Sequence, residues 1–178
     1  MLTYLCCLSS TLAITYSDEV FGTGVDPVNL KSGLEECSFN QINVVPELVI
    51  QNSATPDMEV APGVIEVSID ISLEGNTRGT IRNAVTTAVT NKLGHSLPGP
   101  YDYVLYSLEK CYLEGDCGWA AYAYINSWNS VYQSVYYKRP GVLMHEVSIF
   151  LVAYLQTSCH IWGTSNIILF VALPSHSF

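Results

Sequence analysis

The sequence predicts a mixed α/β (α+β) domain, one sheet with packing helices, and three observations carry that expectation. Residues 65–72 alternate apolar and polar with period two, the pattern of a strand with one buried and one wet face. Residues 76–94 change to a helical stripe bounded by start and stop signals. Strand and helix patterns then keep alternating to residue 146, the order that builds a sheet covered by helices.

In the first strand, Ile65, Val67, Ile69 and Ile71 fall on one side and Glu66, Ser68, Asp70 and Ser72 on the other. In the helix that follows, Ile81, Ala84, Val85, Ala88 and Val89 share one stripe, Asn76 or Thr77 can cap the start, and Gly94 comes after the last turn. SLPGPYDYVLYSL then supplies a Pro/Gly turn and a tyrosine-rich run, Tyr101 to Leu108, that suits a buried strand. In GWAAYAYINSW, residues 118–128, Ala121, Ala123, Ile125 and Ser127 oppose Ala120, Tyr122, Tyr124, Asn126 and Trp128, which predicts one strand with a face of aromatics and amides. Pro140 suits the first turn of a helix that carries His145 and Glu146 and turns Leu143, Met144 and Ile149 to a core. Ahead of all these, residues 17–63 are rich in Gly, Pro, Asn, Asp and Ser and read as loops, with short strands near Val44-Val45 and Leu48–Ile50.

The chain has 178 residues, with 7 Lys+Arg against 16 Asp+Glu and a formal net charge of −9, which excludes a nucleic-acid binder acting through a general basic field. Its length fits one domain, and at 49% hydrophobic it can bury a core. Every charged side chain lies in the first 146 residues. The sequence therefore divides at residue 147, into a domain over 17–146 and an uncharged apolar tail over 147–178. Residues 1–16 are mildly apolar but no basic residue precedes Lys31, so a weak signal peptide and a strand remnant stay open there, and localisation with them.

The six cysteines, at 6, 7, 37, 111, 117 and 159, show no zinc-finger or redox spacing. Cys111 and Cys117 flank YLEGD, whose Gly115-Asp116 invites a turn, so a disulfide between them is expected in a secreted chain, although sequence does not set connectivity. GTGVDP lacks the strand-then-helix setting of a phosphate loop. Asp18, Glu19 and Asp26 fit no EF-hand and read as a solvated loop, and His95 reads as a local backbone partner at a helix exit.

His145-Glu146 is the one histidine–carboxylate neighbour pair. A zinc hydrolase helix needs a second histidine four residues on, on the same face, and Ile149 stands there. The text in front of the pair adds more. GWAAYAYINSWNSVYQSVYYKRPGVLMHE (118–146), preceded by TIRNAVTTAVTNKLGHSLPGPYDYVLYSL and by SDEVFGTGVDPVNLKSGLEECSF, resembles the gametolysin-like family of zinc metallopeptidases over Ser17–Glu146. The resemblance implies a metzincin-like mixed sheet with packing helices and an incomplete C-terminal part. It implies zinc as cofactor, His145 as first metal ligand and Glu146 as catalytic base, acting on protein or peptide substrates of the extracellular matrix or cell wall. It also implies an extracellular location and an edge strand, Gly118 to Trp128, on which an extended substrate pairs.

The family pattern stops after Glu146. The chain reads HEVSI where the family has HExxH, and neither a second and third ligand nor a methionine turn follows; the later histidines are His160 and His176. Three protein ligands are needed for a hydrolytic zinc, so the sequence as written predicts no bound zinc and no activity. Val147-Ser148 is what a splice-donor consensus encodes in this frame, which makes translated intron or frame-shifted sequence the expectation for the tail. A membrane span is not expected, because the middle of the tail, QTSCHIWGTSN, is polar, and two β-like segments, VSIFLVAYL and IILFVAL, are a further reading. The alternative function is a non-catalytic module whose Tyr/Trp-rich stretch 119–137, through Tyr122, Tyr124 and Trp128 with Tyr132 nearby, binds a polysaccharide or peptide; sheet packing competes for the same aromatics.

Overall fold

The computed structural model describes residues 18, 20–22, 27–45, 59–61, 63–73, 75–108, 119–125, 127–133, 136–157 and 163–174. Its elements are α1 (Leu30–Cys37), β1 (Ile42–Val45), β2 (Glu59–Ala61), β3 (Val64–Ile69), α2 (Arg78–Leu93), β4 (Tyr103–Leu108), β5 (Ala121–Ala123), β6 (Asn129–Gln133), α3 (Pro140–Thr157) and β7 (Gly163–Pro174). The class is mixed α/β. The strands form one sheet in the order β2-β3-β7-β4-β6-β5, with β1 beside the first residues of β7. β3, β7, β4 and β6 run parallel, while β2 and β5 are antiparallel at the two ends.

Helices cover both faces. Val64, Tyr103, Leu105 and Tyr132 point to a core shared with Leu30 and Leu34 of α1 and Leu143 and Val147 of α3. Ile65, Val67, Ile69, Val104, Tyr106, Leu108 and Val131 point the other way, onto Ile81, Val85, Val89 and Leu93 of α2. With both sides covered, all six residues of β4 are buried, as in a central parallel strand. The crossover β3-α2-β4 and the crossover β6-α3-β7 travel across the sheet in opposite directions. With a single handedness for such connections, that places α2 and α3 on opposite faces, where they are found.

Local chemistry fixes the element ends. Thr77 Oγ1 accepts from the Thr80 N–H at the start of α2, and Gly94 closes the helix at φ 77°, a left-handed conformation a side chain disfavours. Lys92 Nζ donates to the Glu66 carbonyl, tying the helix end to β3. α1 falls in a stretch read as loop. Its signal is a capping box, in which Asn29 Oδ1 accepts from the Ser32 N–H at 2.9 Å and Ser32 Oγ accepts from the Asn29 N–H at 3.0 Å, with Leu30 and Leu34 one turn apart. α1 packs on α3 closely: a Cβ at Gly33 would lie 3.0 Å from Met144 Sδ.

Three expectations are corrected. The run 118–128 is not one strand: β5 ends at Ala123, the Ser127 N–H donates to the Tyr124 carbonyl in a turn, and β6 begins at Asn129 as the antiparallel return. Unbroken alternation through Tyr124 and Ile125 hid that turn from a reading by period. VSIFLVAYL is not β-like, since it lies within α3 through Leu155, continuing the helix that Pro140 opens. Residues 17–63 contain α1 as well as strands. IILFVAL does form strand, in β7, and a strand paired on both edges in a parallel sheet reads as a continuous apolar run. α3 runs across residue 147, where the composition changes. No helix among the described residues is long and apolar enough to cross a membrane.

Candidate functional site

β5 closes one end of the sheet, and α3 lies against it. The Gln133 N–H donates to the Ala120 carbonyl at 3.0 Å, which makes 120/133 a hydrogen-bonded pair of the antiparallel ladder. Such pairs alternate, so Tyr122 bonds inward to Val131 while the main-chain groups of Ala121 and Ala123 turn to the outer edge. There the Ala123 backbone hydrogen-bonds the Glu146 carboxylate. Glu146 is 7% exposed on α3, whereas His145, its neighbour, is exposed.

Burial holds the Glu146 carboxyl above its usual range, against the lowering pull of His145 and of the Ala123 hydrogen bond. Beneath it lies a polar cluster inside the apolar core. Tyr103 Oη donates to the Glu146 carbonyl at 3.4 Å, and Ser130 Oγ donates to Tyr132 Oη at 3.0 Å. Burial pushes both phenols upward, reinforced at Tyr103 by the Glu146 carboxylate and at Tyr132 by Tyr103 and then that carboxylate, so both stay protonated. A raised carboxyl binds its proton more tightly folded than unfolded, so folding stability falls as pH rises from the ordinary glutamate value through the raised one. Glu146→Gln keeps an acceptor for Ala123 and removes that slope. Urea unfolding between pH 4 and pH 8 is expected to show the variant at least as stable as the parent at neutral pH; a variant weaker at every pH would contradict the assignment.

On the opposite face of β5 the aromatics form a ladder. Trp119 meets Tyr122 edge-on at 5.0 Å between centroids, and Tyr122 meets Tyr124 at 5.7 Å. The Arg78 guanidinium carbon sits 5.6 Å from the Trp119 ring and 5.4 Å from that of Tyr122; that of Arg82 sits 5.1 Å from Tyr124. Tyr122 Oη donates to the Arg78 carbonyl at 3.1 Å, and burial pushes its phenol up to about 12. Tyr124 is 47% exposed.

The expected binding aromatics are thus partly assembled. Tyr122 and Tyr124 stand together, and Trp128 packs half-buried against Tyr106 at 6.3 Å on the same sheet face. Tyr132 does not join them: at 0% exposure it faces α3, because neighbours on a strand alternate sides. Sequence reasoning passed over Arg78, Arg82 and Trp119, though two arginines four apart near a helix start are a readable sign of one charged face. His95 Nδ1 lies 3.2 Å from the Ser96 carbonyl, a local backbone contact. Cys111, Cys117, Glu19, Asp26, His160 and His176 lie outside the described residues.

Among the described residues the donor set around His145 does not fit a hydrolytic zinc. His145 is solvent-exposed, Ile149 occupies the position of a second ligand, and among the described residues no three His, Cys, Asp or Glu side chains are grouped to hold a metal. No protein-family model, curated protein or solved structure matches this chain.

Proposed function

We propose that this chain is a gametolysin-like metallopeptidase domain without a working metal site, and that it binds extended segments of extracellular-matrix or cell-wall proteins along β5 without cleaving them. One observation carries the reading. The helix that holds His145-Glu146 lies beside an antiparallel edge strand and brings the Glu146 carboxylate onto the outward backbone of Ala123. An extended peptide adds to such an edge through main-chain hydrogen bonds, and Glu146 occupies the point where a base would stand beside it. With a single exposed histidine at hand, no step of hydrolysis follows. A module of the alternative kind, which never cleaved, is supported by the Trp119-Tyr122-Tyr124 ladder, and it favours peptide over sugar because guanidinium groups already lie over the tyrosine rings.

Zinc content tests the peptidase descent and the missing site together. After incubation with zinc and desalting, the chain as written is expected to retain none by mass spectrometry. Ile149→His, which places a second histidine one turn on, is expected to bind zinc in a titration but to lose it on desalting, since a third ligand is still missing, and His145→Ala in that background is expected to abolish the titratable binding. Stoichiometric zinc in the parent, lost with His145→Ala, would overturn the non-catalytic assignment.

A further inference from the structure

We propose that Arg78 and Arg82 make this edge selective for acidic peptides, reading carboxylate side chains at alternate positions of a chain paired on β5. The inference rests on the reading of β5 as the edge that receives an extended chain, and it adds the class of peptide received.

The composition makes the two arginines conspicuous. Acidic side chains outnumber basic ones 16 to 7, yet neither guanidinium has a carboxylate partner or donates a side-chain hydrogen bond among the described residues. Each lies over aromatic rings instead, Arg78 over Trp119 and Tyr122 and Arg82 over Tyr124. A guanidinium held over a ring can still offer its N–H groups to a carboxylate through two parallel hydrogen bonds.

Spacing supplies the second support. Passing from Arg78 to Arg82 advances four residues along α2, about 6 Å at 1.5 Å per residue. Passing from Tyr122 in β5 to Tyr124, the first residue past its end, advances two residues, about 6.7 Å at the 3.3–3.4 Å per residue of an extended chain. The pairs advance together, since Arg78 lies over Trp119 and Tyr122 and Arg82 over Tyr124. An extended chain paired outside β5 repeats its side chains on this face at the same interval of about 6.7 Å, so carboxylates two residues apart meet successive guanidiniums.

The charge of the whole chain sharpens the test. At a net −9 the general field repels an acidic peptide, so a preference for one has to arise locally. Arg78 is exposed and Arg82 half-buried, so a solvent-borne peptide can reach both.

The experiment is a fluorescence-anisotropy titration of the full chain with two labelled peptides, one alternating Glu with Thr and one alternating Gln with Thr. The expected result is that the Glu peptide binds about tenfold tighter or more, with a preference that weakens as salt rises. Arg78→Gln with Arg82→Gln is expected to erase the preference, bringing the affinities for the two peptides together. Equal affinities for the two peptides in the parent would overturn acidic selection and leave pairing on β5 standing. Binding of neither peptide would overturn both. A preference that survives the glutamine pair would also overturn the inference. Should that variant unfold, Arg78→Lys with Arg82→Lys carries the same test, since it keeps the charge and loses the planar fork: reduced selectivity supports the assignment and unchanged selectivity overturns it. Tighter binding of polygalacturonate than of the Glu peptide would assign the site to an acidic polysaccharide and overturn the peptide reading.

Discussion

Ending the chain after Thr157 is expected to abolish cooperative unfolding. The deletion removes β7, which pairs with β1 over residues 163–166, with β4 over 167–172 and with β3 over 169–174. β3 and β4 do not pair with each other, so without β7 the sheet separates into β2-β3 and β4-β6-β5. Both pieces then carry unpaired parallel edges between two helix layers, where water does not reach the freed backbone groups. Only side-chain packing then bridges the pieces, through α2 on one face and through α1 and α3 on the other. The net stability of a domain this size is about 5–15 kcal/mol, a small margin against the loss of the backbone pairing that a twelve-residue central strand makes with three neighbours. Far-UV circular dichroism through a urea titration checks this: the full chain is expected to unfold in one transition and the chain ending at 157 to show none. Equal midpoints and slopes for the two would mean that the tail lies outside the fold, as translated intron would.

The sequence made some elements plain and concealed others, for physical reasons. β3 was legible because one face of its central part is apolar and the other carries Glu66 and Ser68. α2 was legible because Thr77 caps it and Gly94 ends it, and Pro140 marked the start of α3. β7 was legible only as the β-like run IILFVAL, because a strand paired on both edges in a parallel sheet loses the alternation by which strands are placed, and its lack of charge looked foreign to the rest of the chain. β5 and β6 merged for a related reason, an aromatic run continuing through the turn between them. α1 was missed because eight residues give little periodic signal, and its capping box sits among loop-forming residues.

The site divided the same way. Glu146, Tyr122 and Tyr124 were picked out by residue type, yet their places depend on pairing across the sheet, which sequence spacing does not contain. Nothing within the dipeptide His145-Glu146 says that the first side chain is exposed and the second buried against Ala123. Arg78 and Arg82 acquire meaning only once α2 is laid along β5, for their ring partners lie about 40 residues away in the chain.

The most direct test of the account is amide hydrogen exchange of the full chain with and without the Glu–Thr peptide. Pairing on β5 has an alternating signature. The Ala121 N–H turns outward and gains a partner from the peptide, whereas the Tyr122 N–H already bonds inward to β6. With peptide at 100 times its Kd, exchange at Ala121 is expected to slow about 100-fold, because only the small unbound fraction remains open. Tyr122 is expected to change far less. Strong slowing at Ala121 beside little change at Tyr122 is the result that the edge-strand account predicts. Unchanged exchange at Ala121 while the peptide is bound, with protection elsewhere, would contradict it.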